Sequence, residues 1–106
     1  MRRRHEPLGD VYLLHFDSPI APGIHTCQHY IGWAEDVFKR LEEHAAGRGA
    51  RLTEVAKERG ITFRLARVWP GETRSFERRL KNWKMGPRLC PICIARRAES
   101  KLREAA

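Results

Sequence analysis

The chain has 106 residues, with 21 Lys and Arg against 13 Asp and Glu, which gives a formal net charge of +8. This length predicts one domain with one modest hydrophobic core. No apolar stretch reaches the ~18 residues of a membrane span, and the basic start 1–5 lacks the apolar segment of a secretory signal. A polyanion is the expected partner, because a basic surface that neutralises phosphates releases condensed counterions. Charge alone leaves DNA, RNA and an acidic membrane open.

The first half of the chain predicts two strands and a helix. Residues 1–9 form a predicted flexible basic arm. Val11–Phe16 is apolar and partly β-branched, which predicts a strand buried on both faces. A proline-containing loop follows, and His29–Gly32 is the predicted antiparallel partner strand. Ala34–Ala46 predicts an amphipathic helix, because apolar residues repeat at helical spacing. That stripe consists of Ala34, Val37, Phe38, Leu41 and Ala45.

The second half predicts a second short helix over 51–59, a third strand over Ile61–Trp69 and a third helix over Thr73–Trp83. The third strand should place Ile61, Phe63 and Leu65 on one face, and the third helix should turn Phe76, Leu80 and Trp83 inward. A polar helix is predicted over 94–105.

The predicted fold class is α/β (α+β), with a small three-stranded, mainly antiparallel sheet flanked by helices. Residues 10–85 are predicted to form one domain and residues 86–106 a C-terminal extension, because Gly86-Pro87 indicates an interruption of the helical structure between them.

The order of several short motifs resembles the GIY-YIG nuclease family. These motifs span residues 10–82 and consist of Asp10-Val11-Tyr12, Tyr30-Ile31-Gly32, Arg40 with His44, Gly47-Arg48-Gly49-Ala50-Arg51, and Ser75-Phe76-Glu77-Arg78-Arg79. The resemblance implies that family's fold and a divalent-metal-dependent hydrolysis of DNA phosphodiester bonds.

Phosphodiester hydrolysis needs a deprotonated water, charge neutralisation at the phosphorus and help for the leaving oxygen. The resemblance implies that Tyr30 is the base or water-positioning residue and that Tyr12 is its partner across the hairpin. A tyrosine base requires a nearby cation or metal, because its reference pKa is near 10. Arg40 would bind the scissile phosphate through its planar, permanently charged guanidinium. His44, on the same helix face, would orient the water, donate to a phosphate oxygen or protonate the leaving group.

The resemblance also implies a metal ligand and a set of DNA contacts. Glu77 would hold Mg²⁺ or Mn²⁺, because one carboxylate with waters and phosphate oxygens suffices for such an ion. Lys81 shares the helix face of Glu77, so it would bind phosphate or pair with Glu77. Asn82, the only asparagine, and the turn residues Arg48 and Arg51 are further candidate DNA contacts. Each of these residues also has an ordinary structural interpretation, as a packing aromatic, a surface charge or part of a linker.

The sequence departs from the family pattern at three places. The first motif reads Asp-Val-Tyr instead of Gly-Ile-Tyr, and Trp33 stands where one branch of the family has lysine. Many members carry an asparagine about a dozen residues beyond the glutamate, which corresponds to a position near Leu89. The departures at the first-motif glycine and at the late asparagine motivate a first alternative function, a catalytically inactive nucleic-acid-binding protein of the same fold.

Three cysteines without a secretory signal favour a reducing compartment. Cys90 and Cys93 have a zinc-knuckle spacing, but a tetrahedral zinc site needs four ligands. Cys27 lies beside His25 and His29, so the hairpin loop, or a second chain, would have to complete a structural Zn²⁺ site. Free or redox-labile thiols are the alternative. A zinc-stabilised interaction module is the second alternative function.

The sequence and the resemblance together predict a cytoplasmic, nucleoid-associated endonuclease that uses Mg²⁺ or Mn²⁺ and acts on DNA, including branched, nicked or flap DNA, without a membrane partner.

Overall fold

A computed structural model describes residues 6–20, 28–83 and 86–105. Along the chain the elements are β1 (Gly9–Phe16), β2 (His29–Ala34), α1 (Val37–Ala45), α2 (Arg51–Glu58), β3 (Phe63–Glu72), α3 (Arg74–Asn82), α4 (Gly86–Leu89) and α5 (Pro91–Ala105). Within these described ranges, no helix combines the length and the apolar character that crossing a membrane requires.

The three strands form one sheet in the order β2-β1-β3, and both pairings are antiparallel. This arrangement confirms the predicted fold class. The central strand β1 is buried from Val11 to Phe16, as predicted for a strand covered on both faces. Helices therefore have to cover the sheet on both sides.

The two faces of β1 pack against different helices, because successive side chains of a strand point to opposite sides. Tyr12, Leu14 and Phe16 belong to the side that α1 and α2 cover. Val11 and Leu13 belong to the other side, where they pack with residues of α3 and of the C-terminal region. Cys90, immediately before α5, is fully buried in that second layer.

The third strand does not keep the simple alternation that its sequence predicts. The register shifts between the pairs Leu13↔Arg67 and Leu14↔Leu65, so Ala66 is an extra residue in the ladder. Such a bulge changes which side chains face which layer. As a result Phe63 packs on the α1/α2 side, whereas Ala66 and Trp69 pack on the α3 side.

The end of β3 also extends beyond its predicted limit at Trp69. A second register shift lies between Gly9 and Val11, opposite the Pro70–Gly71 region. Proline lacks a backbone N–H and cannot donate to the ladder. The Asp10 side chain supplies a hydrogen bond next to this interruption of the ladder, because its Oδ1 atom accepts from the Gly71 amide at 3.2 Å.

The first helix begins three residues later than predicted. Ala34 still belongs to β2, and the Asp36 side chain caps the helix by accepting a hydrogen bond from the Lys39 amide. Such a side-chain acceptor satisfies one of the free amides of a first helical turn. The predicted apolar stripe is wrong at Phe38, which is 76% exposed, and at Ala45, which is also exposed.

The third helix begins as predicted, with Thr73 as its cap, accepting from the Phe76 amide at 3.2 Å. Phe76 and Leu80 pack inward, but Trp83 follows the helix and is 59% exposed, so its predicted inward position is wrong. Glu6, from the predicted N-terminal arm, accepts hydrogen bonds from the amide and hydroxyl of Ser75.

Gly32 faces Tyr12 across the β1–β2 ladder, and a Cβ atom built on Gly32 would lie 2.4 Å from the Tyr12 phenol. We predict that Gly32→Ala lowers the free energy of unfolding by about 2–3 kcal/mol, because overpacking displaces a fully buried ring. Urea unfolding measures this change. Gly60→Ala is the control, because its Cβ meets open space and costs only the left-handed strain of about 1 kcal/mol. A Gly32→Ala variant no less stable than Gly60→Ala would contradict this packing.

Candidate active site and His–Cys cluster

A cleft of about 580 Å³ lies at the open edge of β2. α1 and α3 cover opposite faces of the sheet, and both helices contribute residues to this cleft. Its walls consist of Tyr30, Trp33, Ala34, Glu35, Arg40, Arg74, Glu77 and Lys81. Four of the residues selected from the sequence, separated by up to 51 positions between Tyr30 and Lys81, thus share one cleft.

Glu77 and Lys81 form an ion pair inside the cleft. The distance from Lys81 Nζ to Glu77 Oε2 is 2.7 Å, and the Glu77 side chain is only 16% exposed. The same ammonium group lies 5.1 Å from the centre of the Tyr30 ring. One cation therefore neutralises the carboxylate and also lies over the phenol.

Arg40 connects the cleft to the interior. Its guanidinium is half-buried and pairs with Glu43 at 3.4 Å. It also interacts with the Tyr12 side chain through a hydrogen bond and through its charge. Tyr12 is fully buried, and its ring centre lies 6.2 Å from that of Tyr30.

A chain of buried hydrogen bonds runs from Tyr12 away from the cleft. The Tyr12 hydroxyl lies 2.6 Å from His44 Nε2. The other ring nitrogen, His44 Nδ1, lies 2.9 Å from the Thr53 hydroxyl, which donates to the Ala50 carbonyl at 2.8 Å.

The donor and the acceptor of each hydrogen bond in this chain follow from which atoms carry a proton. The single Thr53 hydroxyl proton is donated to Ala50, so Thr53 accepts from His44 Nδ1–H. A neutral imidazole then has its lone pair on Nε2, which accepts from the Tyr12 hydroxyl. The Tyr12 oxygen is left with lone pairs that can accept from Arg40. The chain thus orients the Tyr12 oxygen as an acceptor towards the cation of the cleft.

Burial keeps this chain neutral. It lowers the pKa of His44 from 6.5 to about 4, with the charge of Arg40 acting in the same direction. Burial also raises the pKa of Tyr12 well above its ordinary value, although Arg40 acts in the opposite direction. His44 is only 1% exposed and does not line the cleft. The structure therefore places His44 behind Tyr12, where it positions the phenol.

The glycines of the Gly47–Arg51 motif allow this arrangement. Gly47 has φ +78°, the left-handed conformation that ends many helices after their last turn. A Cβ on Gly49 would lie 2.1 Å from His44 Nδ1, so this residue lets the backbone pass directly over the imidazole. The motif is therefore an ordered cover for His44.

Three predicted DNA contacts lie outside the cleft. Arg48, Arg51 and Asn82 are exposed, and Arg51 pairs with Glu54 on the surface of α2. Their predicted contacts with DNA stay predictions.

Two cleft residues, Arg74 and Trp33, were not selected from the sequence as site residues. The Arg74 guanidinium lies 4.5 Å from the centre of the Trp33 ring. The Trp33 indole N–H donates to the Glu72 carbonyl at 2.8 Å, which fixes the ring. The sequence signal that could have identified Arg74 is its spacing from Glu77, because residues three apart share a helix face.

A separate cluster of metal-ligating atoms lies on the other side of the hairpin. His15 Nδ1, His29 Nε2, Cys90 Sγ and Cys93 Sγ all lie within 4.8 Å of one another, so they could hold a metal ion. Cys90 and Cys93 were predicted, and Cys27 lies outside the described residues. His29 had been noted near Cys27, whereas His15 was missed, although it faces His29 in the ladder.

Comparison with known proteins adds no assignment, since no family model, curated protein or solved structure matches the chain.

The neutral state of buried His44 predicts a pH-dependent stability. In the unfolded chain His44 titrates near pH 6.5, whereas in the fold its pKa is about 4. The contribution of neutral His44 to the free energy of unfolding is therefore present above pH 6.5. It is lost as the pH falls towards 4, because the unfolded state then binds more protons than the folded state. Between pH 7 and 5 we expect wild type to lose up to about 2 kcal/mol more of its free energy of unfolding than His44→Gln. Urea unfolding at several pH values checks this; parallel curves for the two proteins would refute it.

Proposed function

We propose that the chain is a divalent-metal-dependent endonuclease of the GIY-YIG type that hydrolyses DNA phosphodiester bonds. The observation that carries the proposal is the convergence of Tyr30, Arg40, Glu77 and Lys81 on one cleft. These four side chains offer a phenol, two cations and a carboxylate, which are the groups that the reaction requires. A DNA substrate implies a nucleoid-associated protein in the cytoplasm.

The cations of the cleft suit a phosphate group. Arg40 and Arg74 present guanidinium groups to the cleft, and a guanidinium binds phosphate through paired hydrogen bonds. Arg40 is the better held of the two, because Glu43 and Tyr12 restrain it. We assign Arg40 to the scissile phosphate, where it neutralises charge that develops in the transition state.

The carboxylates of the cleft suit Mg²⁺ or Mn²⁺. Glu77 lines the cleft with little exposure, and Glu35 is a second carboxylate among the lining residues. Such ions keep several waters and need only one or two protein carboxylates together with substrate phosphates. A bound ion would supply charge neutralisation and a more acidic water. In the protein alone, Lys81 balances the charge of Glu77.

The two tyrosines have different roles in this proposal. Tyr12 donates a hydrogen bond to His44 and is fully buried, and its pKa is raised by that burial, so it is a positioning residue. Tyr30 lines the cleft with the Lys81 ammonium over its ring. Tyr30 is therefore the residue that orients the attacking water and accepts its proton.

A catalytically inactive DNA-binding protein is the competing function, and cleavage assays distinguish the two. Purified protein is incubated with linear, nicked, flap and four-way DNA in Mg²⁺, in Mn²⁺ and in chelator. Metal-dependent products support the nuclease. Tight binding to the same DNAs without any product would support the inactive protein.

We predict that Glu77→Gln and Arg40→Ala each lower the cleavage rate at least about 100-fold, as loss of a single electrostatic contact to a transition state does. Glu77→Gln keeps the side-chain volume but removes the charge that would hold the ion. Single-turnover cleavage measures the rates, and circular dichroism checks that both variants are folded.

Two substitutions outside the cleft serve as matched controls. Glu58→Gln removes an exposed carboxylate of α2, and Arg64→Ala removes an exposed arginine of β3 that pairs with Asp17. Both should cleave within a few-fold of wild type. If folded Glu77→Gln or Arg40→Ala cleaved as fast as these controls, the active-site assignment would fail.

DNA binding should depend strongly on salt, because the net charge of +8 makes phosphate contacts its main source of affinity. If about six phosphates are engaged, the affinity should fall on the order of a thousandfold between about 50 and 200 mM salt. Fluorescence anisotropy with a labelled oligonucleotide measures this slope. An affinity that does not change over that range would contradict a phosphate-based interface.

A further inference from the structure

We infer that His15, His29, Cys90 and Cys93 bind a single structural Zn²⁺ ion, which fastens the start of α5 to the β1–β2 hairpin. This inference does not rest on the proposed nuclease function, because none of the four ligands lines the cleft and they lie on the opposite face of the hairpin from Tyr30.

Four of the six distances between the ligand atoms match the edges of a tetrahedral zinc site, and all six are within 4.8 Å. With Zn–N near 2.05 Å and Zn–S near 2.3 Å, a tetrahedron has N–N edges of about 3.3 Å and N–S edges of about 3.6 Å. The distance between His15 Nδ1 and His29 Nε2 is 3.3 Å. Cys90 Sγ and Cys93 Sγ lie 3.5 and 3.8 Å from His15 Nδ1, and Cys93 Sγ lies 3.3 Å from His29 Nε2.

The ligand types select zinc over the ions proposed for the cleft. Two thiolates and two imidazoles are a frequent structural zinc set, whereas Mg²⁺ and Mn²⁺ prefer oxygen ligands. Zinc binding releases the two thiol protons, and the two thiolates then balance the charge of the ion. The complete site is therefore neutral, which suits its position in the hydrophobic layer that contains Cys90.

The fold places the ligands without the metal. His15 and His29 are directly opposed in the ladder, and their ring centres lie 5.1 Å apart. Cys90 immediately precedes α5, where its carbonyl accepts from the Ile94 amide at 2.9 Å, and Cys93 lies in the first turn. Each pair of ligands is thus fixed by its own secondary structure.

The position of the ion explains why a polar extension packs against the domain at all. α5 has no fully buried residue, so few apolar contacts hold it in place. A zinc ion would link α5 to the hairpin through coordinate bonds at the His15↔His29 pair. This pair is the neighbour of the Leu14↔Tyr30 pair in the ladder. The ion would therefore also fix the strand register beside Tyr30.

Metal content tests the assignment directly. Protein purified without chelator or added metal should contain about one Zn²⁺ per chain by elemental analysis. The zinc-free protein should bind Co²⁺ with the visible absorption of a tetrahedral thiolate site. Cys93→Ser, chosen because Cys93 is only half-buried, and His29→Gln should each lose the zinc or bind it at least about tenfold more weakly.

Cys27→Ser distinguishes this site from one that uses Cys27, because it retains all four ligands assigned here. We expect its zinc content to equal that of wild type. Removal of zinc from wild type with a chelator should lower Tm on the order of 10 °C or more, and Zn²⁺ but not Mg²⁺ should restore it. None of these measurements uses DNA, so they stand or fall independently of cleavage.

Three results would overturn the inference. They are the absence of stoichiometric zinc in folded wild-type protein, loss of zinc in folded Cys27→Ser, and a Cys90–Cys93 disulfide in protein prepared under reducing conditions.

Discussion

The antiparallel pairing of β1 with β2 is the constraint on which both sites depend. Side chains alternate along each strand, and directly opposed residues share a face. Tyr12 and Tyr30 therefore lie on the α1 side, and His15 and His29 lie on the α5 side. A slip of one residue would move every side chain of a strand to the other face and would disrupt both sites together. Complete burial of β1 makes such a slip costly, because its apolar side chains fill both layers.

The two sides of the hairpin use burial for different purposes. Beneath the cleft, burial keeps His44 neutral and Tyr12 protonated, so the hydrogen-bond chain has one direction and ends at Arg40. At the cleft itself Lys81 and Arg40 are partly exposed, and in the proposed function they would contact phosphate while Glu77 holds the ion. A rigid, neutral interior thus holds a charged edge, an arrangement that lets electrostatic groups act without reorganisation.

The sequence predicted most of the fold because its signals were local. The apolar run Val11–Phe16 sufficed to predict the central strand. The short tyrosine motifs sufficed to predict its partner strand. The start of α1 was missed because Ala34 fits either a strand or a helix, and the deciding feature is the Asp36 cap. The Ala66 bulge was missed because it depends on pairing with another strand.

The cleft residues Tyr30, Arg40 and Glu77 were selected through the order of their motifs, and helical spacing added only that Lys81 shares the face of Glu77. The burial of His44 was not predictable, because it depends on Gly49 passing over the ring, a contact that only the folded loop creates. His15 was missed because it contributes to a cluster through strand register rather than through a motif of its own.

The most direct measurement of the central claim is anomalous diffraction from crystals grown with a DNA oligonucleotide and Mn²⁺. One hairpin holding two chemically distinct sites predicts two separate signals. A zinc signal should lie among His15, His29, Cys90 and Cys93, and a manganese signal should lie beside the Glu77 carboxylate. Manganese that avoids Glu77 while DNA occupies the Tyr30–Arg40 cleft would contradict the account, as would zinc bound at any other place.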